Sequence, residues 1–331
     1  MPEVTHGEPI SFAQAFELIK PQLSAVEGRI REQAKSFDPA VEGYVSYVCG
    51  AGGKRLRPAL ALLSAGASGR LSSDHEDLAV ILELIHIATL VHDDIMDGAE
   101  LRRDQPTANA KWGNAITVLL GDCLFAHALR LSTNFDDSHI SRRIADAAAE
   151  VCSGEIIQTQ RRFDLKLSTL DYYRIIEMKT AALFSAACEL GAALNGADSG
   201  TVDALKKFGS KLGVAYQIYD DILDLAGSEA ETGKTLGTDL RKGKFTLPIL
   251  LMLQSGKEIS PVRDILLQEG EIDATLLTGI LGRAGVLREA TSVAISLLDE
   301  AGGELKSVPG NSYSDGLRAI GEHLRLLLQR F

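Results

Sequence analysis

Apolar residues recur at helical spacing along almost the whole chain. Segments such as FAQAFELIKPQLSAVEGRIREQA and DLAVILELIHIATLVHDDIMD place them three or four positions apart, which predicts helices with an apolar face. No segment shows the strict alternation that is typical of a β-strand. Clusters of Gly, Ser, Asp and Asn interrupt the pattern at 66–73, 134–138, 195–200 and 255–261. The chain is therefore predicted to be all-α.

The segments between these breaks are about 20 to 30 residues long, which exceeds the average globular helix of about 11 residues. Such lengths favour a bundle of long antiparallel helices around one central space. No Pro/Ser-rich linker and no sharp change of composition divides the sequence. We therefore expect residues 1–331 to form a single domain.

Charge and composition narrow the class of protein. The chain has 34 Lys+Arg against 45 Asp+Glu, a net charge of -11, and 45% hydrophobic residues. This composition excludes an intrinsically disordered chain and a disulfide-rich scaffold. An acidic protein of pI about 5.2 lacks the basic surface that nucleic-acid backbones attract. No nucleic-acid partner is expected.

Cysteine usage and the first residues bear on the compartment. The four cysteines show no CxxC pairing and no zinc-site spacing, which is typical of buried thiols in a reducing compartment. The N-terminal segment MPEVTHGEPISFAQAF has no basic, apolar leader. The most apolar candidate span, 81–91, is broken by Glu83 and His86, and is shorter than the ~20 residues that a membrane helix needs. A cytoplasmic protein without stable membrane insertion is therefore expected.

One acidic pentad occurs twice. DDIMD spans Asp93–Asp97 and DDILD spans Asp220–Asp224, each at the C-terminal end of an apolar helical stretch. Residues four positions apart share a helix face, so the outer aspartates of each pentad point the same way. Carboxylates at a helix C-terminus are destabilising unless a cation compensates them. One pentad fits a solvated helix end equally well, but two favour Mg²⁺ that keeps water ligands and binds a phosphate.

Two basic runs complement the pentads. GGKRLRP places Lys54, Arg55 and Arg57 in a Gly-led loop before Pro58, and LRRDQPTAN places Arg102 and Arg103 directly after the first pentad. Either run alone would be surface charge. Next to metal-binding carboxylates, they indicate a diphosphate site, because that charge is too dense for the metal alone to neutralise.

Further polar residues interrupt apolar helical runs. Lys179 and Thr180 do so in IIEMKTAALFSAA, where an inward lysine meeting an anion and a snorkelling surface lysine are both possible. His86 lies seven residues before Asp93, and Gln217 three before Asp220. On spacing alone each is equally a core residue or a ligand. The loop after the second pentad, TGKTLGTDLRKGKFTLP, adds a further group: Lys234, Asp239, Lys242 and Lys244.

Five motifs occur in the following order between about Gly52 and Pro248: GGKRLRP, HIATLVHDDIMD with the LRR that follows it, MKTAALF, YQIYDDILD and GKTLGTDLRKGKFTLP. In that order they resemble the trans-isoprenyl (polyprenyl) diphosphate synthases. The resemblance implies an all-α isoprenoid-synthase bundle, usually a homodimer, that condenses isopentenyl diphosphate with an allylic prenyl diphosphate. It also implies Mg²⁺ held by Asp93, Asp94 and Asp97 on one wall and by Asp220, Asp221 and Asp224 on the other.

The same resemblance assigns the substrate contacts. The residues matched to isopentenyl diphosphate are Lys54, Arg57, His86 and Arg103. Those matched to the allylic diphosphate are Arg102, Lys179, Thr180, Gln217, Lys234 and Lys244. The catalytic group implied is Asp93, Asp94, Asp97, Lys179, Thr180, Gln217 and Asp220. Departure of the allylic diphosphate leaves a carbocation that the isopentenyl double bond attacks, so no side-chain nucleophile is expected.

Product length is expected to depend on the helix before Asp93. In this family a bulky aromatic residue four or five positions before the first aspartate acts as a floor for short products. Here those positions hold Thr89 and Ala88, with Ile85 one turn further, and no aromatic occurs from 48 to 111. A long-chain, octaprenyl-like product is expected. A geranylgeranyl or farnesyl product remains open if Phe125, Phe184 or a partner-subunit residue closes the tunnel.

Three rival functions fit parts of the pattern. A class I terpene cyclase shares one DDxxD motif, but the second pentad and the Lys54/Arg57 loop disfavour it. A non-catalytic subunit of a heteromeric synthase would be expected to have eroded aspartates, whereas both pentads are whole. A helical scaffold with acidic patches leaves the ordered basic loops unexplained.

Overall fold

The computed structural model describes residues 10–103, 105–227, 236–255 and 274–331, and within these ranges the chain is built from helices. In chain order they are α1 (Phe12–Leu18), α2 (Lys20–Glu32), α3 (Pro39–Cys49), α4 (Leu56–Ser68), α5 (Ser73–Met96), α6 (Ala108–Ser132), α7 (Ser138–Gln160), α8 (Thr169–Ile176), α9 (Ala182–Ala193), α10 (Ser199–Ala226), α11 (Thr238–Arg241), α12 (Leu247–Gln254), α13 (Ala274–Ala284), α14 (Val286–Glu304) and α15 (Ser312–Leu328). Short 3₁₀ turns span Gln33–Ser36 and Leu305–Ser307, and a π-helical turn spans Glu177–Ala181. The all-α prediction is confirmed.

Helix boundaries follow capping residues at three of the four predicted breaks. Ser72 precedes α5 in a capping box with His75, and Asp137 precedes α7 and accepts the His139 backbone N–H. Asp198 likewise caps α10. The fourth break, 255–261, lies outside the described residues from 256 onward. The four longest helices, α5, α6, α7 and α10, have 24, 25, 23 and 28 residues, whereas the others are shorter than expected.

One small strand pair departs from the prediction. Strand β1 (Leu101–Arg102) pairs antiparallel with β2 (Gln105–Pro106), with Leu101 opposite Pro106. Strands of two residues leave no alternation to detect in the sequence. The turn between them, where Arg103 has a φ of 52°, brings the basic LRR run back beside the end of α5.

The core lies where α4, α5, α9 and α10 pack together. Fully buried Leu60, Leu82, Phe184 and Phe208 contribute to one apolar cluster that includes residues from α2 to α15. Helices approach closely where one of them carries glycine. A Cβ added at Gly213 of α10 would lie 2.6 Å from the Ala181 Cα at the start of α9. This close packing fixes the position of the π-helical turn beside α10.

The Gly213 contact leads to a stability prediction. We expect Gly213→Ala to lower the free energy of unfolding by about 1 to 3 kcal/mol, because the added methyl overlaps backbone atoms that must shift. Gly43→Ala is the matched control, since Gly43 lies within α3 with nothing near its missing Cβ. That change is expected to be neutral or stabilising. Urea unfolding followed by circular dichroism measures both, and a Gly213→Ala protein as stable as wild type would contradict the contact.

Helix α6 has an unusually apolar exposed face. By length and composition alone it is long and apolar enough to cross a membrane, with 39% of its most apolar window buried. The sequence pattern placed the longest apolar candidate at 81–91 and did not single out this helix. One face packs on α5, while Ile116, Val118 and Leu119 are 38%, 42% and 60% exposed. On α7, Ile156 is also exposed, at 59%. The two helices therefore present apolar side chains that this single chain leaves uncovered.

Candidate active site

One cavity of about 1700 Å³ opens at the C-terminal ends of α5 and α10. Its walls come from the loop before α4, from α5, α6, α7, the π-helical turn, α9 and α10, and from α11 with the loop that follows it. The predicted site residues that line it are Lys54, Arg57, His86, Thr89, Asp93, Asp97, Arg102, Arg103, Lys179, Thr180, Gln217, Asp220, Asp221, Asp224 and Lys244. Residues far apart in sequence therefore meet around a single space.

Three predicted residues are placed differently. Ala88 and Ile85 are completely buried between helices and do not line the cavity, whereas the neighbouring Thr89 does. Asp94 is also absent from the lining. Lys234 lies outside the described residues.

Asp94 is held by an arginine. Its buried carboxylate accepts hydrogen bonds from Arg102 Nε at 3.0 Å and from a terminal guanidinium nitrogen at 2.7 Å. This bidentate pair orients the Arg102 side chain. Adjacent helical residues point about 100° apart, so Asp94 lies off the face that carries Asp93 and Asp97, and its expected role as a metal ligand stays a prediction.

Asp97, the last residue of the first pentad, sits among cations. Lys244, Lys242 and Arg162 lie 3.1, 3.3 and 3.4 Å from its carboxylate oxygens. Burial alone would raise the pKa of Asp97, but Lys244 and Lys242 lower it. Since both lysines come from the loop after α11, that loop reaches across the cavity to the first pentad. The carboxylate is therefore ionised and surrounded by positive charge.

Hydrogen bonds from α8 and α10 hold Asp221, the second residue of the second pentad. Asp221 is almost fully buried and accepts hydrogen bonds from the Tyr172 hydroxyl at 2.6 Å and the Gln217 amide at 2.8 Å. Burial, followed by the charge of Asp239, raises the pKa of Asp221 well above its ordinary value. Each of its oxygens accepts a hydrogen bond, and the Tyr172 contact holds α10 against α8, while the expected role of Asp221 as a metal ligand stays a prediction.

Asp224 connects the second pentad to the basic loop. Its carboxylate accepts the backbone N–H groups of Thr238 and Asp239 at 3.2 and 3.1 Å, at the start of α11. Burial and the neighbouring Asp239 raise the pKa of Asp224 to about 6. Crowded carboxylates of this kind are stabilised by an added cation.

Thr180 and Gln217 form a hydrogen-bonded pair. The Thr180 hydroxyl donates to Gln217 Oε1 at 2.6 Å, and the Gln217 amide nitrogen donates to Asp221. The π-helical turn that carries Thr180 is thus tied to the second pentad through one glutamine. In this arrangement the Gln217 side chain already uses both polar atoms.

A second, basic part of the cavity surrounds His86. Burial, with Arg57, Arg102 and Arg103 nearby, lowers the pKa of His86 well below its ordinary value, so the ring is neutral. Burial also lowers the pKa of Arg57, whose buried Nε has no hydrogen-bond partner. The Arg57 guanidinium lies over the Phe184 ring at 5.1 Å. A buried guanidinium with an unpartnered donor beside two other arginines is an arrangement that an anion would stabilise.

The neighbouring Arg55 also lines the cavity, but its guanidinium is already paired with carboxylates. It has a φ of 47° and forms ion pairs with Glu27 and with the buried Glu83, the latter at 2.6 Å. Its positive φ separates it from Arg57, although both belong to the GGKRLRP run. Arg55 thus anchors the loop that supports the anion site.

The donor set fits a divalent cation that shares its ligands with a substrate. The outer aspartates of both pentads, Asp93, Asp97, Asp220 and Asp224, line the cavity, as does Asp221. In the described parts of the chain, no group of three His, Cys, Asp or Glu side chains is arranged to hold a metal by itself. Hard oxygen ligands that are too few to complete a shell suit Mg²⁺, which keeps waters and binds phosphate oxygens.

Beyond the site residues assigned by the resemblance, two cavity-lining residues and one residue outside the lining act on the pentads. Asp239 and Lys242 belong to the loop after the second pentad, and that loop's charge pattern was the available signal. Arg162 follows α7, where no motif marks it, and its contact with Asp97 depends wholly on the tertiary fold. All three act on the pentads rather than lying apart from them.

Comparison with known proteins agrees with this geometry. The Polyprenyl synthetase family model matches residues 38–276. Component 2 of heptaprenyl diphosphate synthase from Bacillus subtilis is 32% identical over 95% of this chain and 90% of its own. A decaprenyl diphosphate synthase structure from Rhodobacter capsulatus has a TM-score of 0.88 at 34% identity, covering 96% of this chain and 99% of that one. A Caulobacter crescentus polyprenyl synthase, solved with calcium and isoprenyl diphosphate, has a TM-score of 0.89 at 33% identity over 96% and 98%.

The all-α bundle, with its two aspartate pentads facing one cavity, defines a prenyltransferase. The chain belongs to the polyprenyl synthetase family. The expected relationship to trans-isoprenyl diphosphate synthases of the long-chain type is confirmed.

Proposed function

We propose that this enzyme condenses isopentenyl diphosphate repeatedly with an allylic prenyl diphosphate to make a long all-trans polyprenyl diphosphate. The observation that carries the proposal is one cavity lined by the aspartates of both pentads and by a separate basic cluster around His86, in which the buried Arg57 Nε lacks a hydrogen-bond partner among the described residues. Two anionic substrates need two such sites. Relatives named heptaprenyl and decaprenyl synthases support a long product, and residues 1–331 are proposed to act as one domain.

Each part of the cavity takes one substrate. Arg57, Arg103, His86 and Lys54 bind the isopentenyl diphosphate, with neutral His86 able to donate one hydrogen bond. Lys244, Lys179 and Arg102 face the aspartate side, where the allylic diphosphate binds. Asp93, Asp97, Asp220 and Asp224 would hold Mg²⁺, which would supply positive charge to stabilise the departing diphosphate. As the diphosphate departs, Lys242 and Lys244 release Asp97 and bind the diphosphate instead. The apolar walls of the cavity exclude water from the carbocation.

The first test is direct turnover. The purified protein is incubated with Mg²⁺, farnesyl diphosphate and labelled isopentenyl diphosphate, and the dephosphorylated products are sized. A long prenol is expected. Geranylgeraniol alone would retain the reaction and reject the long product, whereas no incorporation with any allylic primer would favour a non-catalytic subunit.

The exposed apolar face of α6 and α7 is proposed to bind a second copy of this chain. Val118 and Ile156 belong both to that face and to the cavity lining, so a partner chain there would close the cavity's open side. This use of the face also explains an apolar α6 without membrane insertion. The four cysteines are unpaired, which supports a cytoplasmic location.

Leu119→Glu is expected to convert the dimer to a monomer, because a charge would be buried at the interface. Light scattering coupled to size-exclusion chromatography measures the mass. Leu170→Glu is the control, since Leu170 is exposed on α8 and away from this face. A wild-type monomer would reject the homodimer and favour a different partner subunit, whereas a dimer unaffected by Leu119→Glu would reject this face as its interface.

A further inference from the structure

Lys179 projects from an unusual piece of backbone. The turn Glu177–Ala181 is π-helical, between the α-helices α8 and α9. Insertions of this kind redirect side chains that a regular helix would place elsewhere. Helix α7 supports the turn closely, since a Cβ at Gly154 would lie 2.8 Å from the Lys179 backbone nitrogen. The lysine therefore enters the cavity from a backbone that α7 holds in place.

Two side chains of α7 bind the Lys179 ammonium. Glu155 forms an ion pair with it, and Gln158 Oε1 accepts a hydrogen bond from it at 2.9 Å. The two α7 residues are three positions apart and so share one helix face. Glu155 is buried, and both it and Gln158 line the cavity. The ammonium is thus held from one side while its other side faces the space between the pentads.

A buried carboxylate beside a diphosphate site needs a reason. By itself Glu155 would repel the substrate that the cavity is built to bind. Its charge acts mainly on Lys179: burial would lower the pKa of that lysine, but Asp93, Glu155 and Asp239 raise it to about 12. A flexible lysine side chain loses conformational entropy when it is ordered, and a geometry that is set beforehand avoids that loss during the reaction.

We propose that Glu155 and Gln158 are positioning residues that hold Lys179 extended toward the departing allylic diphosphate. The inference rests on the proposed function, because it gives these residues a role in that same reaction. Neither residue has to contact a substrate. Their effect passes through Lys179, and that dependence separates them from residues that bind the substrate directly or only stabilise the fold.

A double-mutant cycle tests the dependence. Glu155→Gln is expected to lower kcat about 10- to 100-fold, the size of effect that a misplacement near 1 Å produces. The KM for isopentenyl diphosphate should stay within about twofold, because its site lies at the basic end. In a Lys179→Met background the same substitution should cost less than about threefold. Equal losses in both backgrounds, or no loss in the first, would overturn the proposal.

Two further variants provide a matched control and an alternative test of the proposal. Glu150→Gln makes the same chemical change on α7, where Glu150 is partly exposed and lies 3.6 Å from Arg143, and it should retain wild-type kcat. Gln158→Leu removes only the hydrogen bond and should show the same dependence on Lys179 with a smaller loss. If Glu155→Gln fails to fold, Gln158→Leu carries the test, and additive behaviour there would also overturn the proposal.

A measurement without turnover separates this proposal from the proposed function. Acetic anhydride acylates neutral amines, and peptide mass spectrometry reads the extent at each lysine, with exposed Lys20 as internal reference. Removing the negative charge of Glu155 lowers the pKa of Lys179, so its labelling at pH 9 should rise at least about threefold in Glu155→Gln. Unchanged labelling would overturn the positioning role. If the wild-type enzyme were inactive but Lys179 labelling still rose in Glu155→Gln, the result would reject the proposed function and leave the positioning role standing.

Discussion

Asp93→Asn is expected to lower the rate of chain elongation at least about a thousandfold while the fold stays intact. Asp93 lines the cavity opposite the second pentad, and its charge helps to raise the pKa of Lys179. An amide keeps the size of the side chain but loses the charge that a divalent cation needs. Because leaving-group stabilisation supplies several kcal/mol of the rate enhancement, losing it strongly reduces turnover. Incorporation of labelled isopentenyl diphosphate at saturating Mg²⁺ measures the rate.

The control for Asp93→Asn lies on the same helix. Asp74 is exposed in the first turn of α5, far from the cavity, and Asp74→Asn should retain turnover within about twofold. Circular dichroism should give both variants the helix content of wild type. More than a tenth of wild-type turnover in Asp93→Asn would reject the metal-binding role of this aspartate.

Much of the architecture and site could be predicted because the signals are local. Helical periodicity and capping residues locate α5 and α10, and the i, i+4 spacing places the outer aspartates of each pentad together. The order of the motifs along the chain also predicted the basic cluster, because proteins with this motif order share a fold in which the motifs meet at one cavity. Composition alone would have predicted none of these pairings.

The roles of individual residues within the motifs depend on tertiary contacts. Asp94 and Asp221 occupy the same place in their pentads, yet one holds Arg102 and the other is held by Tyr172 and Gln217. No spacing rule reports those partners. The π-helical turn is equally hidden, because one inserted residue barely changes the apolar periodicity around Lys179.

The α5 residues that were expected to line the path of the growing chain differ in where their side chains lie. The sequence favoured Thr89, Ala88 and Ile85 together, but successive helical residues point about 100° apart. Thr89 lines the cavity, while Ala88 and Ile85 are fully buried against other helices. A large side chain at Ala88 would therefore overpack the core and destabilise the fold before it reported on product length.

Thr89→Phe is expected to shorten the product by several isoprene units, toward the geranylgeranyl or farnesyl length. Thr89 lies one turn, about 6 Å, before Asp93 along α5, and its hydroxyl is already bound to the His86 carbonyl at 2.7 Å. A phenyl ring there would project into the cavity toward half-buried Phe125, which stacks on His92. The prenyl tail would meet the ring after only a few additions, and reversed-phase chromatography of the dephosphorylated products would show the change.

Thr89→Val separates blockage from other effects of the substitution. Valine has nearly the same volume as threonine and removes only the hydroxyl, so the product should keep its wild-type length. Phe125→Ala should relieve the restriction in the Thr89→Phe background, because it reopens the opposite wall, and longer products should return. A Thr89→Phe enzyme that turns over normally and makes the wild-type product would mean that the chain grows along a different wall, away from this face of α5.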